Sequence, residues 1–179
     1  MKFRSSLVVL ASLVSAALSA TVADVIADTR NISTQVTNLD NAANAFPNTG
    51  GSLVAALAIH TDVMNLRSAF DKGTTDIISA SPKPFSEADG TTLLDIVEGF
   101  EPILLDALKV LIAKKPAFQA LPISGIPTLI KQDLINLNAS ANTFENQLIA
   151  SLPPDLVAAA EAIKTDLGTI FVNAIAAYQ

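Results

Sequence analysis

Between Leu93 and Ile112 the chain carries Leu93, Leu94, Ile96, Val97, Phe100, Ile103, Leu104, Leu105, Leu108, Val110, Leu111 and Ile112. On a 3.6-residue period these side chains spread most of the way round a helix instead of forming one narrow stripe. A helix of that kind is covered by neighbours on several sides or lies in lipid. Asp95, Glu98, Glu101, Asp106 and Lys109 interrupt the run, as does Pro102, and that argues against a membrane span. The stretch is expected to be the central helix of an all-α bundle.

The rest of the chain supplies the other staves. Val22, Val25, Thr29, Ile32, Val36, Leu39, Ala43 and Phe46 recur every three or four residues, which is a long amphipathic helix ended by Pro47 and the Gly50-Gly51 pair. A second helix is expected from about Ser52, with the stripe Ala56, Ile59, Val63, Leu66, Phe70 and Ile77; Gly73 inside it invites fraying or a bend. Ser86 with Asp89 reads as a variant capping box for the third helix. Pro102 should kink that helix near Gly99, and Lys114, Lys115 and Pro116 read as its stop. Phe118–Ile123 is then an apolar connector. A fourth helix begins near Ser124, with Pro127 in its first turn and the stripe Ile126, Ile130, Leu134, Leu137, Ala141, Phe144, Leu148. Pro153 and Pro154 open a fifth, carrying Leu156, Ala160, Ile163, Leu167, Ile170, Phe171, Ala174 and Tyr178. The fold expected is a five-helix antiparallel bundle, since short connectors make neighbours antiparallel.

Residues 1–20 read as a secretory signal peptide: Lys2 and Arg4 are the basic start, Leu7–Leu18 the apolar run, and Ser19 and Ala20 the small residues before cleavage. Residues 21–179 are then one helical domain. Loss of Lys2 and Arg4 leaves nine basic against seventeen acidic residues, so the formal net charge falls from −6 to −8. An acidic exported domain is a poor ligand for nucleic acid or anionic membranes. There are no cysteines, which removes disulfides, iron–sulfur clusters and thiol catalysis together. The C-terminus lacks a GPI-type hydrophobic tail and a Ser/Thr-rich stalk, so a freely secreted form is expected, with cell-wall association as the alternative.

No catalytic motif is present, and neither cofactor nor metal is expected. His60 is the only histidine and reads as a residue at the edge of the core, with no second histidine and no nucleophile elbow to work with. Asp95, Glu98 and Glu101 fall three apart. Paired carboxylates can hydrolyse glycosides across a cleft, but with no Trp and one Tyr there are no sugar platforms, so a solvated helix face is the better reading. Asp71 and Asp76 do not fit a calcium loop. Asn31-Ile32-Ser33 and Asn138-Ala139-Ser140 are glycosylation sequons.

What stands out is apolar excess: 50% of residues are hydrophobic, mostly small aliphatics, in a chain without an enzyme's equipment. A core absorbs much of that. Alanines at Ala55, Ala56, Ala58, Ala158, Ala159, Ala160 and Ala162 thin the packing, which suits a bundle enclosing an elongated apolar space or able to present apolar faces. An acyl chain of roughly fourteen methylenes at about 0.8 kcal/mol each gains on the order of 11 kcal/mol gross, against association costs of about 4–15 kcal/mol. Its carboxylate needs a polar partner. Lys114 and Lys115 are candidates for that head group, although a helix-end cap is the simpler role for them.

The run Leu93-Leu94-Asp95-Ile96-Val97-Glu98-Gly99-Phe100-Glu101-Pro102-Ile103-Leu104, continuing to Lys114-Lys115-Pro116-Ala117-Phe118, resembles the fungal hydrophobic surface binding protein A family, which is related to cell-wall galactomannoproteins. The likeness extends to the Ile170-Phe171-Val172-Asn173-Ala174 ending. The resemblance implies a non-catalytic, secreted helical protein that adsorbs to hydrophobic surfaces, with some relatives holding fatty acids inside the bundle. On that reading Ile96, Phe100, Leu104 and Leu108 line the ligand space, faced by Val63, Phe70, Leu137, Phe144, Ile163 and Phe171. The partner is a fatty acid or similar amphiphile; a second reading is adsorption to hydrophobic surfaces without a defined ligand. A hydrolase is least expected.

Overall fold

The computed structural model describes residues 19–179. The basic start and apolar run of the expected signal lie outside the described residues. Five helices follow: α1 Val22–Ala45, α2 Leu53–Ser79, α3 Glu87–Gln119, α4 Ile126–Ile149 and α5 Val157–Ala177. No strand occurs among the described residues, and the five-helix, all-α expectation holds.

Local chemistry sets the helix starts. Thr21 Oγ1 accepts from the Asp24 N–H at 3.2 Å while the Thr21 N–H donates to Asp24 Oδ2 at 2.8 Å, a complete capping box that the stripe pattern alone did not reveal. Ser52 and Ser86 cap α2 and α3 through the N–H groups of Ala55 and Asp89. Gly125, in the left-handed region at φ +102°, leads into α4, with Pro127 in the first turn.

Two expected interruptions do not occur. Gly73 is buried within an unbroken α2; a Cβ there would sit 3.0 Å from Phe144 Cε2 and 3.4 Å from Ile32 Cδ1. The glycine lets α4 and α1 approach α2 closely, and that packing holds the helix where propensity alone would loosen it. Pro116 does not stop α3, which runs on to Gln119. The proline is exposed, while Ala117 and Phe118 beyond it are buried and Phe118 stacks on Phe46 with ring centroids 4.3 Å apart. Burying an aromatic ring contributes about 1.5–3 kcal/mol, which offsets the one backbone bond the proline removes. The expected connector therefore shrinks to residues 120–125. Pro102 is likewise exposed within continuous helix.

Helix directions follow from which ends meet. Lys72, late in α2, bonds Asp28, early in α1, at 2.6 Å, so this pair is antiparallel. Lys164, early in α5, reaches Asn146, late in α4, at 2.6 Å, with the same consequence. His60 and Asp133, both early in α2 and α4, meet at 2.7 Å, so those helices run parallel. The Phe46–Phe118 stack joins the ends of α1 and α3, and Tyr178 after α5 donates to the Leu111 carbonyl of α3 at 2.6 Å; both of these seams are parallel too. The antiparallel expectation thus holds for the chain-consecutive pairs α1/α2 and α4/α5, and the seams between alternate helices are parallel.

Round the bundle the order is α1–α2–α4–α5–α3 and back to α1, with a lighter α3–α4 contact across the interior. The apolar helix expected at the centre is α3, which touches α1, α5 and α4. It keeps one face in water, occupied by Asp95, Glu98, Pro102, Asp106 and Lys109. Three helix neighbours account for the wide spread of its apolar side chains.

Candidate ligand site

The interior is one continuous apolar cluster fed by all five helices. Every phenylalanine from Phe46 onward is buried in it: Phe46, Phe70, Phe85, Phe100, Phe118, Phe144 and Phe171. The structure brings the sequence-predicted residues together here. Val63 and Phe70 come from α2, Phe100, Leu104 and Leu108 from α3, Leu137 and Phe144 from α4, and Ile163 and Phe171 from α5; all are buried members of the cluster, and Ile96 packs against it half-buried. The Phe70 and Phe144 rings meet tilted at 58° with centroids 5.5 Å apart. An acyl chain entering this space has to take the room of side chains already in contact.

The seams are unequal. Those of α1 with α2 and α3, and of α2 with α4, are dense; those of α5 with α3 and α4 are sparser. α5 is the shortest of the five helices, at 21 residues, and carries Gly168, around which a Cβ would meet nothing within 4 Å. On the outside of the α4–α5 seam lies a groove of about 520 Å³, lined by Asn138, Asn142, Glu161, Lys164, Thr165, Gly168, Thr169, Val172 and Asn173. That size suits a ligand group; amides and hydroxyls stand in the lining, but its accessible surface is more apolar than polar.

Polar pins between helices are the features the sequence pattern missed. Asp133 is 5% exposed and takes a hydrogen bond from His60 Nδ1 at 2.7 Å. Burial pushes the Asp133 carboxyl above the usual range, and the His60 contact opposes that. Asp28 is also buried, with both oxygens on Lys72 Nζ; desolvation raises its pKa against the pull of that ammonium. Lys72 also holds Asp76 at 2.9 Å, and these two carboxylates raise its own pKa. Asp28 and Asp133 each fall on the core-facing stripe of their helix, and a carboxylate on an apolar stripe was the available signal. His60 thus joins α2 to α4 at the core's edge. Glu98 and Asp95 are exposed on α3, and Glu101 is half-buried with its pKa raised by desolvation and by Asp166 and Glu98. No cluster of three metal-ligating side chains occurs among the described residues.

Lys115 donates to the Ala177 carbonyl at the end of α5 and lies 6.0 Å from the Tyr178 ring centroid, so its ammonium closes a helix end. Lys114 is half-buried. Asn31 is exposed on α1, and Asn138 is half-buried in the α4–α5 groove. Glu145, half-buried on α4, has its carboxyl pushed up to about 8 by desolvation, with Lys164 the opposing charge.

A ring of five helices round an apolar interior, with charges spent on interhelical pins, defines a helical-bundle protein whose main chemical resource is buried hydrocarbon surface. More particularly, the chain belongs to the hydrophobic surface binding protein A family, whose profile matches residues 22–150, from the start of α1 to the end of α4. No curated protein matches it. Among solved structures it is similar to Afmp4p in complex with palmitic acid, at 24% identity over 88% of this chain and 99% of that one, with a TM-score of 0.79. It is similar to ligand binding domain 1 of the Penicillium marneffei MP1 protein, complexed with arachidonic acids, at 20% identity over 88% of this chain and 99% of that one and a TM-score of 0.77. Domain 2 of that protein, with multiple arachidonic acids, matches at 16% identity over 85% and 92%, with a TM-score of 0.73. These likenesses establish the shared fold.

Proposed function

We propose that this chain is a secreted, non-catalytic protein that takes a fatty acid or similar amphiphile into the apolar interior of its bundle. The observation that carries the reading is the shared fold: three bundles of the same architecture, matched over nearly their whole length, hold palmitic or arachidonic acid. The interior offers the matching chemistry, with Phe100, Leu104 and Leu108 facing Phe70, Phe144, Ile163 and Phe171 as the lining. The sparse seams of α5 make it the gate: a small displacement of that helix admits a chain at lower cost than parting α1 from α2 or α3. Gross burial of about 11 kcal/mol for fourteen methylenes, less about 4–15 kcal/mol for association, corresponds to weak to micromolar affinity.

Residues 1–20 act as the cleaved export signal, and residues 21–179 as the working domain. Asn31, exposed on α1, is the better placed glycan acceptor of the two sequons. The family's name favours a second use of the same interior, adsorption to apolar surfaces by a bundle that opens on them. Val54, Leu57 and Met64 along the outer face of α2 offer a first foothold, at 78%, 43% and 41% exposure.

Displacement of a fluorescent fatty acid tests the ligand reading. Saturable binding with one or a few sites per chain is expected; no saturation at high micromolar ligand overturns it. Depletion of the protein by apolar beads, with its helical spectrum retained, is expected of the adsorption mode.

A further inference from the structure

The α4–α5 groove sits on the seam that the proposed function uses as its gate, and it sets a single ammonium and several amides beside a larger apolar surface. Its one cation is Lys164, whose ammonium is held by the Asn146 amide oxygen at 2.6 Å and so is aimed at the seam. Around it are the Asn138 and Asn142 amides, whose NH2 groups are donors that suit an anionic oxygen, while the Thr165 hydroxyl donates to the Glu161 carbonyl at 2.8 Å. Gly168 lies among them with open space where a side chain would be. On the inner side of the same helix is Phe171, buried in the apolar cluster. The ammonium at the mouth, the missing side chain and the apolar interior therefore follow one another along α5.

We infer that this groove is the head-group subsite of the bundle: Lys164, with the Asn138 and Asn142 amides, receives the carboxylate of the bound amphiphile, while the tail passes Gly168 into the interior. The inference rests on the lipid-binding reading and names where its ligand's charged end lies. Charge bookkeeping supports it. The ionisable groups at the seam are Lys164 and Glu161 on α5 and Glu145 on α4. Below pH 8 Glu145 is largely protonated, so Lys164 and Glu161 balance and an incoming carboxylate meets no net repulsion. Above that pH the ionised Glu145 adds a negative charge close to the Lys164 ammonium, and a carboxylate is disfavoured.

The test compares palmitate with hexadecanol, which has the same tail and no charge, on residues 21–179 made in a host that adds no glycan. Lys164→Met is expected to weaken palmitate about tenfold and hexadecanol by less than twofold, and Lys164→Arg to keep palmitate within about threefold of wild type. Palmitate affinity is expected to fall between pH 7 and 9 in the wild type and to stay level in Glu145→Gln. If Lys164→Met leaves palmitate unchanged, or weakens both ligands equally, the head group lies elsewhere while lipid binding stands. If wild type binds neither ligand, the lipid reading fails and this inference fails with it.

Discussion

Single atoms decide several outcomes in this bundle, and two glycines make the point. Gly73 faces Phe144 Cε2 at 3.0 Å from a would-be Cβ, so Gly73→Val overpacks the meeting of α1, α2 and α4. It should lower stability by about 1–3 kcal/mol in a denaturant titration. Gly99, exposed on α3 with nothing within 4 Å, shows the opposite case: Gly99→Ala should gain about 0.5–1 kcal/mol through helix propensity alone. Glu145 sets a pH dependence. The unfolded chain ionises it near its ordinary value of 4.5, the folded chain only near 8. The unfolded state therefore holds fewer protons between those values, and stability falls as pH rises through that window and levels off above it. Each pKa unit is worth about 1.4 kcal/mol. Allowing for water at the carboxyl's exposed edge, Glu145→Gln should stabilise the protein at pH 9 by on the order of 2 kcal/mol and have little effect at pH 4.5. Equal melting shifts at both pH values would contradict the burial of this carboxyl.

At the scale of the helix, the end of α3 and the whole of α5 behave differently. The last turn of α3 survives Pro116 because Phe118 stacks on Phe46. Phe118→Ala should cost about 3–5 kcal/mol and release the residues after Lys115 from the helix, seen as loss of amide protection there. α5 has no side-chain N-cap, sparse seams and few large side chains outside Ile163, Leu167, Ile170 and Phe171. Its amides should exchange faster than those of α1 and α2 in the free protein, and palmitate should slow them selectively. Uniform exchange across all five helices would remove α5 as the gate.

For the molecule as a whole, ligand binding and folding draw on the same apolar interior, so they must be linked. Palmitate at a hundred times its dissociation constant should stabilise the fold by about 2.7 kcal/mol, which for a chain of this length raises the melting temperature by about 5–10 °C. Much of this architecture was legible in the sequence because a helix stripe is local information. Ile126, Ile130, Leu134, Leu137, Ala141, Phe144 and Leu148 were read as one face and all are buried. What was not legible depends on partners far away in the chain. Pro116 looked like a stop because the ring that holds the next turn is Phe46, at the end of α1. Asp133 and Asp28 stood on their stripes without a visible reason because His60 and Lys72 lie on another helix. Ring order and the parallel seams follow from side-chain contacts that no periodicity encodes, and so does the groove, where residues of α4 and α5 meet from opposite directions. The lysines first considered for a head group, Lys114 and Lys115, were chosen by position along α3. Lys164 becomes a candidate only once α4 lies beside it. Mass spectrometry of an organic extract of the native protein probes the account most directly: a long-chain acid near one equivalent per chain is the predicted result, and a lipid-free extract from a protein that also takes up no palmitate would contradict it.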